Sequence, residues 1–360
     1  MTGPSATALA SVQQESEPAS FRIDGVLDVR QEQEVLMKNR ILPVGSLISG
    51  RRMPHRKSSL ASVLLMLAAV PGSALLAQGE PEASAVVTAL TKANDAPPIS
   101  QQQIQVSVEG KQVQPSLWRA YGHGPVELVL LIDGSARTSL GRNLEDMAGF
   151  LSNLPPNFAV GVAYMQNGQA VFTAPLSKDH AAVAKQLHLP GGSAGSSASP
   201  YFCLSSLARS WPAPRSAARR EVVMITDGVD EYNLRYDPDD PYVHSAVTDA
   251  QRAGLVVFSI YYRNQGRLSG SPYETNAGQN YLTQVADETG GNLYYEGLGN
   301  PVSFSPFFED LNRRLGNQYE LDFPVTEKKK ASSVALRVKS EVSSIKFKAP
   351  DHVAVLAEPK

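Results

Sequence analysis

Two short apolar runs, Val126–Ile132 and Val222–Ile225, each lead into an Asp-Gly pair, Asp133-Gly134 and Asp227-Gly228. Apolar runs of this length without alternation are strands covered on both faces. Helical spacing lies between and after them. Asn143–Leu154 places Leu144, Met147, Phe150, Leu151 and Leu154 on one face and stops at Pro155-Pro156. Residues 179–187 read as a helix capped by Asp179, and another runs through Phe202, Leu204 and Leu207. Val243–Ala253 stops at Gly254, Asn280–Thr289 stops at Gly290-Gly291, and Phe304–Leu315 closes the series. Phe158–Met165, Leu255–Tyr261 and Asn292–Tyr295 read as further strands, and Asn167-Gly168 turns the chain into an antiparallel edge at Ala170–Phe172. Alternation of this kind predicts an α/β fold: a doubly wound, mostly parallel sheet with helices on both faces. Ligands of such sheets sit beyond the carboxyl ends of the strands.

Composition narrows the function. The chain has 360 residues, 33 Lys plus Arg and 35 Asp plus Glu, a net charge of −2. That balance argues against a general nucleic-acid binder, which carries a strong basic excess. The single cysteine, Cys203, excludes an intramolecular disulfide framework and a cysteine-built metal cluster.

The amino end reads as an address. Arg51, Arg52, Arg56 and Lys57 precede the apolar run Leu60–Val70, Pro71-Gly72 breaks it, and small residues end at Ala77. This is the pattern of a secretory signal peptide, and it is short of the roughly 20 residues a membrane span needs. Met53 would start a signal of 25 residues, 53–77. Residues 1–52 are then expected to be a non-native or disordered extension, and the mature chain to be secreted or periplasmic without a membrane span. Residues 78–100, polar with Pro97-Pro98, read as a flexible linker.

Ile104–Val108 alternates before a turn at Glu109-Gly110-Lys111, and Tyr319–Phe323, Val334–Val338, Ile345–Phe347 and Val353–Val355 read as strands. The expectation is one small antiparallel β module built from 101–121 and 319–360, flanking a core domain at 122–318.

Asp133 and Asp227 follow strands that flank the switch point of a doubly wound sheet, so both are expected at the upper rim. Hard oxygen ligands there suit Mg²⁺, although Asp-Gly after a strand is also ordinary turn chemistry. Leu130-Leu131-Ile132-Asp133-Gly134-Ser135-Ala136-Arg137 resembles the D-x-S-x-S metal loop of von Willebrand factor type A (VWA) domains. Ile225-Thr226-Asp227-Gly228 is similar to that family's second aspartate motif, and Asp287–Gly291 with the strand after it to its penultimate segment. The flanks Val106–Lys111 and Asn317–Tyr319 look like those of secreted bacterial VWA-related proteins abundant in acidobacteria. The resemblance covers roughly Gly122 to Gln318. It implies a six-stranded, Rossmann-like sheet, protein-ligand binding, and a metal-ion-dependent adhesion site holding Mg²⁺. On that pattern Asp133, Ser135 and Asp227 match site positions. Ser199, before a helix, stands closest to the family's threonine. Arg137 replaces the second serine; a guanidinium cannot ligate a cation. The site is therefore expected to be degenerate, with Arg137 turned onto a carboxylate in place of the metal.

Gly191-Gly192-Ser193-Ala194-Gly195 matches G-x-S-x-G, the signature of a nucleophile elbow between strand and helix. A secreted α/β serine hydrolase, with Ser193 as nucleophile and His244 as a nominal base, is the alternative to a binding module without enzyme activity. The acidic stretch Asp230–Asp240 reads as a solvated rim, Lys328–Lys330 as a hairpin tip, and Cys203 as a small core hydrophobe. Six tyrosines between Tyr261 and Tyr295 are expected in packing, with any exposed ones suited to a protein interface.

Overall fold

The computed structural model describes residues 81–191, 197–230, 232–233, 236–263, 272–297, 299–326 and 332–355, excluding the side chains of residues 137 and 138. The extension at 1–52, the signal at 53–77, Ser193, Lys328–Lys330 and the Arg137 side chain lie outside the described residues.

The first strands are β1 (Glu82–Leu90), β2 (Ile104–Val108), β3 (Lys111–Val113) and β4 (Leu117–Ala120). The core follows: β5 (Val126–Asp133), α1 (Leu144–Asn153), β6 (Phe158–Gln166), β7 (Gln169–Ser177), α2 (His180–Ala184), α3 (Pro200–Arg209), β8 (Arg219–Thr226), α4 (Pro241–Ala253), β9 (Leu255–Tyr261), α5 (Pro272–Thr289), β10 (Leu293–Tyr294) and α6 (Ser305–Gly316). The chain then forms β11 (Gln318–Pro324), β12 (Ser332–Ser340), β13 (Lys346–Lys348) and β14 (His352–Val355).

The core sheet has six strands in the order β10-β9-β8-β5-β6-β7. All pairs are parallel except β6–β7, the hairpin edge announced by Asn167-Gly168. Every residue of β5 and β8 is buried, as a sheet covered on both faces requires. Successive β5 side chains divide between two cores. Leu128, Leu130 and Ile132 pack with α1, α2 and α6, while Val129 and Leu131 pack with α3, α4 and α5. The sheet is therefore doubly wound. Strand order reverses between β5 and β8, where one crossover runs to β6 and the other to β9.

The flanking strands form more than one sheet. Two four-stranded antiparallel sheets, β13-β1-β11-β4 and β14-β12-β2-β3, share one hydrophobic cluster. Residues 82–90 are no linker. They are a central strand of the first sheet, paired with β11 from Glu82↔Pro324 to Thr88↔Gln318. Ala83, Ala85, Val87 and Ala89 alternate into the core, and Val87 is fully buried. Small side chains made that alternation easy to misread as a polar tether. The core domain is inserted between β4 and β11, which lie side by side (Ala120 opposite Tyr319), so its entry and exit are neighbours.

That junction is polar and buried. Arg219 donates to the Leu315 carbonyl (2.9 Å) and the Gln318 side-chain oxygen (2.6 Å), and stacks over the Tyr121 ring at 4.6 Å. Glu221 lies beside Arg219 and Gln318 without a hydrogen bond of ordinary geometry. Burial pushes its carboxyl up to about 8, against the opposing pull of Arg219.

Candidate functional site at the carboxyl-end rim

Asp133 ends β5 and Thr226 ends β8. The register Ile132↔Ile225 places them side by side. The Thr226 hydroxyl donates to Asp133 Oδ2 at 2.7 Å, and the Ser135 hydroxyl and backbone N–H donate to Asp133 Oδ1 at 2.6 and 2.9 Å. Both carboxylate oxygens are thus oriented by protein donors. Asp227, one residue past the strand, accepts from the Val229 N–H at 3.0 Å, an Asx turn that starts the outgoing loop. Asp133 is 3 % and Asp227 4 % exposed.

Backbone fit holds the second aspartate in place. Gly228 adopts φ +69°, and a Cβ there would meet the Gly278 carbonyl at 2.6 Å. Conversely, a Cβ on Gly278 would lie 2.1 Å from the Asp227 carbonyl oxygen. The turn and α5 touch backbone to backbone, which only glycines allow. The buried Tyr201 hydroxyl donates to the Gly228 carbonyl at 2.6 Å and fixes the turn from α3.

Ser199 occupies the N-cap position of α3, followed by Pro200 at the first turn, a pairing that favours a helix start. It does not cap. Its hydroxyl is fully buried and faces the Asp230 carboxyl outside ordinary hydrogen-bond geometry. It lies close enough to Asp230 to favour that carboxyl's charged form, against burial, which raises the Asp230 pKa. Asp230 Oδ2 is buried as well and makes no hydrogen bond of ordinary geometry among the described residues. Ala198, beside it, is held at φ +62°, an unfavourable conformation for a residue with a Cβ. A strained residue next to an uncapped serine marks a segment shaped by something other than helix stability.

The acidic stretch corrects the expectation of a solvated rim. Asp230 and Asp240 are buried, and Asp237 and Asp239 are exposed. Asp240 caps α4 by accepting from the Tyr242 and Val243 N–H groups, and also accepts from the Asn233 amide. Asp230 accepts from the Tyr232 N–H at 2.8 Å. The buried acids therefore shape the loop, while Tyr236, Asp237, Asp239 and Tyr273 present an aromatic and acidic surface above them. The Tyr236 N–H donates to the Tyr273 hydroxyl at 3.0 Å, joining the loop to α5.

Of the residues singled out from sequence, Asp133, Ser135, Ser199 and Asp227 all stand at this end of the sheet. Arg137 begins the short 3-10 segment Arg137–Asn143 that leaves the site. Thr226 and Asp230 were missed as participants. Strand register gives the first, since Thr226 is the neighbour of Asp133; nothing in the spacing marks the second. All donors are hard oxygens, which fits a hard cation. Against that, the Ser135 hydroxyl is engaged with Asp133, Arg137 offers no ligand, and no group of three or more His, Cys, Asp or Glu able to hold a metal occurs among the described residues. The fit to Mg²⁺ is partial.

The hydrolase alternative gains no geometry. Residues 185–191, which lead toward Ser193, form no strand, so the strand-to-helix turn of a nucleophile elbow has no entry. His244 is exposed on α4. Cys203 packs in the core as expected, its thiol pushed up to about 12 by burial and by Asp133.

No family in a scan of protein-family models and no curated protein matches the chain. Among solved structures it is similar to an aerotolerance-related membrane protein from Bacteroides fragilis (15 % identity, 53 % of this chain and 98 % of that one, TM-score 0.36). It is also similar to the ArnB paralog VWA2 from Sulfolobus acidocaldarius (12 %, 76 % of each chain, TM-score 0.35) and to proximal thread matrix protein 1 from the mussel byssus, whose MIDAS motif is zinc-occupied (14 %, 58 % and 49 %, TM-score 0.37). At these scores the fold rests on strand order and register.

Proposed function

We propose that this chain is a VWA-type protein-binding module without enzyme activity, secreted or periplasmic by way of the signal at 53–77. Its ligand is a protein that docks on the carboxyl-end rim. One observation carries the reading: polar groups from three separate segments, Asp133 with Ser135, Ser199, and Thr226 with Asp227, stand at the carboxyl end of the sheet, and the Ser199 hydroxyl there does not cap its helix but lies against Asp230. These groups are buried, so their part is to shape the rim loop, and the exposed Tyr236, Asp237, Asp239 and Tyr273 make the contacts. No helix among the described residues is long and apolar enough to cross a membrane.

In this reading the site is a degenerate adhesion site. Asp133, Ser135, Ser199 and Asp227 would hold Mg²⁺, which would supply a positive charge between the buried carboxylates and so brace the rim loop from beneath. Arg137 takes one ligand position away and adds charge, so affinity is low. Calorimetric Mg²⁺ and Mn²⁺ titrations test this. Wild type is expected to bind both weakly, and Arg137→Ser to bind more tightly. Tight wild-type binding that is lost in Asp133→Ala would overturn the degenerate site and restore a metal-dependent one.

A further inference from the structure

Beside the rim, and lined by none of its site residues, lies a surface groove of about 440 Å³ between the β6–β7 turn, α3 and α4. That volume lies within the roughly 300–1,000 Å³ range of small-molecule sites. The turn is built for its place. Asn167 and Gly168 both have positive φ, the signature of a tight hairpin, and a Cβ on Gly168 would crowd Phe202 at 3.3 Å.

The lining chemistry discriminates between ligand classes. Arg209 is its one charged side chain, and that guanidinium is paired with Asp249 at 2.7 Å, a carboxylate that Arg252 also approaches at 3.9 Å. The groove lining therefore offers an ion a single charge that is already paired. Its remaining polar groups are amides and hydroxyls, notably Asn167, Gln169, Ser206 and Ser245. Ser206 donates to Gln169 Oε1 at 2.8 Å, which engages the amide oxygen and leaves the amide nitrogen as the donor Gln169 can offer a ligand. Two aromatic rings complete the wall: Phe202 and Tyr242, 4.9 Å apart and nearly perpendicular, with Tyr242 40 % exposed. A purely apolar ligand would desolvate these amides and hydroxyls without pairing them. A molecule with C–H faces for the rings and hydroxyls for the amides satisfies both.

We propose that this groove binds a neutral saccharide of one or two sugar units, stacked on Tyr242 with Phe202 at its edge and hydrogen-bonded through Gln169, Asn167 and Ser245.

Calorimetric titration of the protein with maltose, cellobiose, lactose and N,N′-diacetylchitobiose, with a sulfated disaccharide as the charged control, tests this. At least one neutral disaccharide is expected to bind, with an affinity unchanged between low and high salt. Tyr242→Ala should weaken that binding by about tenfold or more, a loss of roughly 1.4 kcal/mol. Tyr242→Phe should retain it, and Gln169→Ala should weaken it. Each variant should keep the wild-type thermal midpoint, because both side chains are exposed. Tyr273→Ala, on the rim, should leave it unchanged. Failure of every neutral disaccharide to bind, binding of the sulfated control alone, or binding indifferent to Tyr242→Ala would overturn the proposal.

Discussion

At the scale of single residues, the rim is an exercise in satisfying one buried carboxylate. Asp133 accepts from Ser135 on one oxygen and from Thr226 on the other. Removing the Thr226 hydroxyl leaves the buried Asp133 Oδ2 without its donor. Thr226→Val is therefore expected to cost about 1–3 kcal/mol, read as a lower denaturation midpoint at neutral pH. Ser199→Ala should cost less, since its hydroxyl lies against Asp230 outside ordinary hydrogen-bond geometry. It should leave stability near wild type while raising the Asp230 pKa further, a shift measurable by carboxyl NMR titration. The two aspartates were legible in the sequence because Asp-Gly closes two apolar runs. Asp230 was not, because its burial comes from the path of the loop between β8 and α4, and a lone acid in an acidic stretch looks solvated.

At the scale of elements, the closest fit in the site is between α5 and the turn after β8. Gly278→Ala would drive a methyl into the Asp227 carbonyl. Overpacking of this kind costs about 1–3 kcal/mol, and here it should also disturb the rim loop. Hydrogen exchange at Val229 and Tyr232, whose N–H groups bond to Asp227 and Asp230, would report both effects. The core elements were readable because burial on both faces leaves unbroken apolar runs and amphipathic helices between them. Strand β1 was not. Its inward positions are mostly alanine, with glutamate, serine and threonine among its other side chains, so its alternation carries little hydrophobic contrast. Helix α5 also starts earlier than its apolar spacing shows, at Pro272, because its first turns carry Tyr273, Glu274 and Asn276. A chain that begins at residue 91 should lose the centre of a four-stranded sheet, exposing Leu321 and Phe323. Its thermal unfolding should lose cooperativity, where a dispensable linker would leave it intact.

At the scale of the molecule, a doubly wound sheet is inserted between adjacent strands of a β-sandwich, and Glu221 is buried at the seam. Its folded pKa, about 8, stands above the ordinary 4.5, so the folded state holds a proton that the unfolded chain releases. The corresponding stability is complete below about pH 4.5 and is lost as pH rises through about 8. Arg219 and Gln318 face the same carboxyl, and Glu221→Gln keeps its shape while removing the titration. That variant should flatten the fall in stability between about pH 4.5 and 8 and exceed wild type in thermal midpoint at pH above 8. The insertion places the rim of the core sheet at the opposite end of β5 and β8 from this seam. The central claim is that a protein ligand docks on that rim. Its most direct test is quantitative partner capture from the native cell envelope, with wild type and a Tyr273→Ala, Asp239→Lys double variant as baits. Both substituted side chains are exposed, so the double variant should keep a thermal midpoint near wild type, less the Tyr236 N–H bond that the Tyr273 hydroxyl accepts. Loss of a wild-type partner from the double variant, with that partner retained by Tyr242→Ala, is the predicted result. The same partners in the same amounts on wild-type and double-variant baits would contradict it.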